Sequence, residues 1–318
     1  MALLEINNLM LHFTTNLGKN RAVDDVSFTI ESGETLGLVG ESGCGKSTLG
    51  KAVMRLIEPT SGTIRLDGVD ISELSQRQLV AYRHKMQMIF QDPFASLNPR
   101  ARVGRIIEEP MIVNGWEKKK RKDRVLMLLD KVGLTIDSLH RYPHEYSGGQ
   151  RQRIGIARAL ALNPSIIICD EAVSSLDVSI RAQIINLLSD LRDEMGLTLL
   201  FISHDLSTVK HIADRVAVMY LGKIVEIAET DKLWTTPQHP YSQLLMSVQT
   251  VPDPHRARGR KRNILRGELP GPYDLNQGCN FQTRCPHTQG KCRSIEPALI
   301  AVDSAQAVAC HVRVMGND

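Results

Sequence analysis

A chain of 318 residues, 42% apolar and 23% charged, has the composition of a globular protein able to bury a full core without metals or disulfides, as one large domain or two unequal ones. Its net charge of +4 comes from two short segments: Glu117–Arg124 holds six basic and two acidic residues, and Arg256–Arg262 five basic and none acidic. The remainder is mildly acidic, which excludes a general nucleic-acid-binding surface and leaves each cluster as a solvated helix face or linker, or as a contact for anionic lipid or a partner protein.

The N-terminal MALLEINNLMLHF has no basic n-region and carries Glu5, so no secretion signal is expected. No apolar run approaches the ~18 residues of a membrane span, and the chain is expected in the cytosol, still able to dock on a membrane. Short apolar strands alternate with helical patterns to about residue 220, the signature of an α/β layered fold. Val26–Ile30 and Thr35–Val39 read as strands, and Lys46–Ile57 as a helix closed by Glu58-Pro59. Thr63–Leu66 is a strand running into the turn pair Asp67-Gly68, and Met86–Phe90 is another. Between residues 100 and 160 the pattern turns helical, with Val125, Leu128, Leu129 and Val132 on one face. Ile166–Cys169 and Thr198–Ile202 are wholly apolar, as buried parallel strands are. The helix joining them shows Ile180, Ile184, Leu187, Leu188 and Leu191 on one side, and Val216–Leu221 with Lys223–Ala228, split near Gly222, forms a hairpin pattern. From Thr236 onward prolines take over, and four of the six cysteines fall in that stretch. The change places a boundary near residue 235, between a larger unit 1–235 and a small loop-rich unit 236–318.

Gly40-Glu41-Ser42-Gly43-Cys44-Gly45-Lys46-Ser47 fits G-x-x-x-x-G-K-[ST], entered by an apolar strand and left by a helix. Glycines at this spacing let successive N–H groups converge on phosphate oxygens, and the helix N-terminus adds partial positive charge. Ser42, Gly43, Cys44, Gly45, Lys46, Ser47 and Thr48 are therefore the candidate ATP-binding residues. Lys46 would bridge β- and γ-phosphate, and the Ser47 hydroxyl would ligate Mg²⁺. Cys44 reads as a small residue lending its backbone, with a redox role as the alternative. Asp170 and Glu171 emerge from the carboxyl end of the Ile166–Cys169 strand, where α/β sheets bind ligands. Asp170 can hold Mg²⁺ there, and Glu171 can polarise an attacking water. Cys169 reads as a small buried hydrophobe.

Tyr146-Ser147-Gly148-Gly149-Gln150, followed by Arg151-Gln152-Arg153, resembles the L-S-G-G-Q signature of ATP-binding-cassette (ABC) ATPases, with tyrosine in place of leucine. The other elements of that family appear in order. Gln91 matches the Q-loop glutamine, which puts it with Ser47 and Asp170 around Mg²⁺; Ser175-Leu176-Asp177 matches the D-loop; His204 matches the switch histidine. Phe13 matches the aromatic residue that stacks on adenine, with His12 adjoining it. The resemblance implies a P-loop ATPase core with a helical subdomain over about residues 92–160. It also implies two cassettes facing head to tail, each ATP held between the glycine loop of one chain and the signature of the other.

His239-Pro240-Tyr241, Leu265–Pro270 and Gly278–Pro286 are similar to the tail of dipeptide, oligopeptide and nickel importer ATPases, so the resemblance spans essentially the whole chain. Cys279, Cys285, Cys292 and Cys310 follow C-x5-C-x6-C-x17-C, a soft-donor pattern that is not the C-x2-C pair of structural zinc. Some members of this importer class bind a [4Fe-4S] cluster with four such cysteines. A cluster, zinc and free thiols all stay open, with His287 and His311 as bystanders.

The resemblance therefore implies an ATP-hydrolysing importer subunit on the cytoplasmic face of the membrane. It would work with two membrane-spanning permeases, a second cassette, an extracytoplasmic substrate-binding protein and no nucleic acid. A soluble ABC-type ATPase acting on nucleic acid or ribosomes, and a redox-sensing regulatory ATPase, are the alternatives.

Overall fold

The computed structural model describes residues 2–16, 18–248, 271 and 277–312; the basic run Arg256–Arg262 and the Leu265–Pro270 segment lie outside them. The elements begin β1 (Ala2–Thr15), β2 (Gly18–Glu31), β3 (Thr35–Val39), α1 (Lys46–Val53), β4 (Ser61–Leu66), β5 (Val69–Asp70), α2 (Gln76–Arg83) and β6 (Met86–Ile89). A helical stretch follows, α3 (Pro93–Ser96), α4 (Val103–Val113), α5 (Lys118–Lys131) and α6 (Gly148–Ala159). Then come β7 (Ile166–Asp170), α7 (Val178–Met195), β8 (Thr198–Ile202), α8 (Leu206–Ile212), β9 (Arg215–Tyr220) and β10 (Lys223–Glu229). The tail supplies α9 (Thr230–Thr235), α10 (Pro240–Val248), α11 (Gly290–Ser294), β11 (Ile300–Asp303) and β12 (Gln306–Val308).

Two sheets organise the fold. The larger runs β11-β12-β10-β9-β3-β8-β7-β6, and the smaller β2-β1-β4-β5. Within the larger sheet, β9, β3, β8, β7 and β6 are parallel neighbours, while β10 and the tail strands add antiparallel. Strand alternation sends side chains to opposite faces, and the apolar strands use both. Ile166 and Ile168 of β7 join the core shared with the small sheet and α1, whereas Ile167 and Cys169 join the core under the helices. Leu200 and Ile202 of β8 divide from Leu199 and Phe201 in the same way. Being buried on both faces is why these strands carry no polar residue in alternation.

β3 and β8 match their predicted spans. The helix expected over Lys46–Ile57 ends at Val53 instead, because Arg55 takes a left-handed φ of 51° and turns its guanidinium inward to the carbonyls of Ile71 and Leu74. The long β1 was not foreseen; its repeated register shifts against β2 and β4 break the two-residue period. Tail residues Tyr241, Leu244 and Phe281 share one buried core with Tyr220 and Val225 of the main sheet. Lys118, Lys119, Lys120 and Lys122 of α5 are exposed, whereas Arg121 pairs with Glu108 and Arg124 donates to the Leu160 carbonyl. No described helix is long and apolar enough to cross a membrane.

Candidate functional site

The glycine loop leaves β3 at the carboxyl edge of the sheet and enters α1 at Gly45, whose φ of 107° no other residue holds without strain. Space agrees with conformation: a Cβ on Gly45 would stand 2.0 Å from the Ala22 carbonyl oxygen, and one on Gly40 2.1 Å from that of Met219. The amides of α1's first turn have no intrahelical acceptor, as in any helix, and no side chain caps them, which makes this end an anion site beside the cleft. Lys46, 4% exposed, donates from Nζ to the carbonyls of Gly40 and Glu41 at 2.9 Å each, which sets its cation inside the loop. The cleft, about 380 Å³, is lined by Phe13, by Ser42 to Thr48, and by Gln91 and Glu171. His12 does not compete with Phe13 for this position; its ring is buried against Asp24 at 3.0 Å.

The acidic pair sits opposite. The Ser47 hydroxyl donates to Asp170 at 2.6 Å, joining the loop to the end of β7. Burial holds the Asp170 carboxyl above the usual carboxylate range, against the opposing pull of the Ser47 hydroxyl, Lys51 and Lys46. A carboxylate and a hydroxyl side by side are hard oxygen donors of the kind Mg²⁺ takes, its other positions filled by water or phosphate. Glu171 has a φ of 47°, a left-handed conformation rare outside glycine and of the sort found at functional positions. Its amide is anchored to the Ile202 carbonyl at 3.0 Å. Its carboxylate accepts from Gln91 Nε2 at 2.9 Å and lies 3.2 Å from His204 Nδ1. Residues from the ends of β6, β7 and β8 thus meet at one oxyacid, which could hold a water for in-line attack on a phosphate.

Ser147 caps α6 in a reciprocal box, its hydroxyl accepting from the Gln150 amide and its own amide donating to Gln150 Oε1 at 3.0 Å. Ser147, Gly148 and Gln150 are exposed and do not line the cleft of their own chain; Asp177 is exposed at the start of α7. Gly149 has a structural cause as well, since a Cβ there would stand 2.4 Å from Ile180 Cγ2. Tyr146 fills the leucine position as a packing residue, 7% exposed in the helical core.

The four tail cysteines, for which a cluster, zinc and free thiols stayed open, are not arranged as a ready ion site. Among the described residues no three His, Cys, Asp or Glu are gathered to hold an ion. Cys279 and Cys285 pack against the core, and the Cys310 thiol donates to the Val312 carbonyl at 2.9 Å. All four are free thiols. Burial pushes Cys279 up to about 11, and the charges of Cys292, Cys310 and Cys285 add to it against an N–H donated by Phe281. The His311 ring is bonded to the Ile295 carbonyl at 2.8 Å.

Several residues of the site escaped sequence reasoning. Asn20, Arg21 and Ala22 near the start of β2, and Leu221 and Gly222 in the β9–β10 connection, line the cleft. The Gly222 amide donates to the Cys44 carbonyl at 2.9 Å. Nothing local marks these positions; only the glycine splitting the hairpin hinted at a close approach.

A family model described as ABC transporter matches residues 23–174, and one described as oligopeptide/dipeptide transporter, C-terminal region, matches residues 225–292. The chain is 53% identical over 322 residues to "Probable peptide ABC transporter ATP-binding protein y4tS" of Sinorhizobium fredii, covering 98% of this chain and 90% of the other. It is 52% identical over 302 residues to the oligopeptide transport ATP-binding protein AppF of Bacillus subtilis, covering 94% and 92%. Among solved structures it resembles the dimeric, post-hydrolysis ATP-binding cassette MJ0796 bound to ADP and Pi, with a TM-score of 0.66 and 28% identity over 71% of this chain and 98% of that one. It also resembles cbiO1 of Clostridium perfringens, part of the ABC transporter complex cbiONQ, with a TM-score of 0.67 and 26% identity over 73% and 90%.

Proposed function

The chain belongs to the ABC transporter family of ATPases, and from that premise we propose that it is the ATP-hydrolysing subunit powering import of peptides across the cytoplasmic membrane. The observation that carries the catalytic part is the meeting of Gln91, Glu171 and His204 beside the Ser47–Asp170 pair. In this reading the loop amides and Lys46 bind the β- and γ-phosphates, Phe13 stacks on adenine, and Ser47, Asp170 and Gln91 hold Mg²⁺, which offsets charge on the phosphates. Glu171 orients and deprotonates water, and His204 keeps that carboxylate in place. Catalysis is positioning plus electrostatic stabilisation of phosphoryl transfer.

The exposed signature would serve a second cassette, Ser147, Gly148, Gly149 and Gln150 closing over that partner's ATP with Asp177 beside them. What supports this is the exposure of Ser147, Gly148, Gln150 and Asp177 away from the cleft of the same chain and the dimeric cassette among the structural relatives. The partner is proposed to be a paralogue, with two permeases in the membrane and a substrate-binding protein outside, and this chain on the cytoplasmic face. Residues 1–235 would be the nucleotide-binding part and 236–318 the importer-type tail.

Glu171→Gln should leave ATP affinity near wild type and cut hydrolysis by about 100-fold or more, on the order of 3 kcal/mol of barrier, giving an ATP-locked dimer on gel filtration. Adding Ser147→Arg should abolish that dimer while ATP binding persists. Turnover within about threefold of wild type removes Glu171 from its role, and a dimer surviving Ser147→Arg refutes the head-to-tail arrangement.

We further propose that Cys279, Cys285, Cys292 and Cys310 hold a [4Fe-4S] cluster, with zinc as the alternative. Four soft donors, three of which act electrostatically on Cys279, support this; the thiols would have to draw together, and Cys310 would have to exchange the Val312 carbonyl for metal. Anaerobically purified protein should contain about four iron and four acid-labile sulfide per chain. One zinc per chain selects the alternative, and neither metal ends the idea.

A further inference from the structure

Glu41, the second residue of the glycine loop, is fixed at four atoms. Its carbonyl accepts from Lys46 Nζ and its amide donates to the Tyr241 hydroxyl, both at 2.9 Å. Its carboxylate takes both arms of Arg284, Nη1 to Oε2 at 2.9 Å and Nη2 to Oε1 at 3.1 Å. Arg284 stands 243 residues further along the chain, its side chain 6% exposed, with Nη1 3.4 Å from the Tyr220 hydroxyl. A two-armed guanidinium–carboxylate pair fixes orientation as well as charge. Glu41 sits inside the loop, yet it is absent from the described residues lining the cleft.

A free carboxylate on this loop would repel a triphosphate. We propose that Arg284 is a positioning residue for the nucleotide site: it sequesters the Glu41 carboxylate, keeping that negative charge turned away from the phosphates. The inference rests on the reading of the loop as an ATP site. It makes the tail a working part of nucleotide binding, because the residue that masks the loop's own acid precedes Cys285 in the Cys279–Cys285 segment.

The test uses the full-length chain for ATP affinity and the assembled transporter for kinetics. Arg284→Gln should weaken ATP binding about tenfold and raise KM for ATP to match, with kcat within about twofold of wild type. The defect should shrink as salt is added. Adding Glu41→Gln should restore most of the lost affinity by removing the unmasked charge; a merely structural role for Arg284 predicts a double variant as weak as the single one, or weaker. Should Arg284→Gln fail to fold, Arg284→Lys keeps the charge but one arm only, and its smaller loss should also be relieved by Glu41→Gln. ATP binding by Arg284→Gln within about twofold of wild type, or failure of Glu41→Gln to restore it in either background, overturns the proposal. Failure of the wild-type chain to bind ATP would overturn the ATPase reading instead.

Discussion

At the scale of single residues, the site trades stability for chemistry. Asp170 is 4% exposed, and its main compensation is the Ser47 hydroxyl. Burial raises its pKa, so at intermediate pH the folded chain keeps a proton that the unfolded chain has released. Its contribution to stability therefore falls as pH rises from the ordinary carboxylate value through the raised one, and is constant above. Asp170→Asn removes the charge while leaving an oxygen for Ser47. Without nucleotide the variant should melt about 2 °C or more above wild type near neutral pH, while Mg²⁺-dependent hydrolysis falls by about 100-fold or more. Its thermal advantage should grow from pH 4 upward and then level off. An advantage largest at acid pH would contradict the sign of the shift. This is the stability–activity trade expected where a charge is buried for use.

At the scale of elements, legibility followed the range of the forces involved. β3, β7 and β8 were readable because burial on both faces leaves an unbroken apolar run. The glycine loop was readable because phosphate binding needs particular backbone conformations at fixed spacing. Acid, glutamine and histidine could each be placed at a strand end, but their convergence on Glu171 needed the parallel order β3-β8-β7-β6. β1 was missed because its bulges hide the period, and β12 because three residues, Gln306–Val308, carry too little pattern. The helix end at Val53 turned on one arginine bonding to carbonyls 16 and 19 residues away. The tail thiols show the reverse failure. Their spacing was clear, but spacing did not reveal that Cys310 already has a carbonyl partner and that two others pack as hydrophobes.

At the scale of the whole molecule, composition changes near residue 235 while the core continues across it. Glu226 on β10 is 0% exposed. Its carboxylate accepts from the amides of Gln238 at 2.8 Å and His239 at 2.9 Å, and from Gln306 Nε2 at 2.6 Å. All three donors lie beyond residue 235. His239 is itself kept neutral there, its pKa pushed down to about 3 by burial. Tyr241 and Phe281 close over Tyr220 with ring centroids 4.7 and 5.2 Å from it. Ending the chain at Thr235 would leave a buried carboxylate unpaired, at about 3–5 kcal/mol, and uncover aromatic surface worth about 2 kcal/mol per ring. Together these are comparable to the ~5–15 kcal/mol margin of an ordinary fold. The fragment 1–235 should therefore be insoluble, or melt at least ~10 °C below the full chain in thermal denaturation. Glu226→Val in the fragment should recover part of the loss, because a β-branched apolar side chain suits a buried strand and needs no donor. A fragment 1–235 that folds and melts within about 3 °C of the full chain would show the tail to be an appended module, with the buried Glu226 network contributing nothing to the cassette.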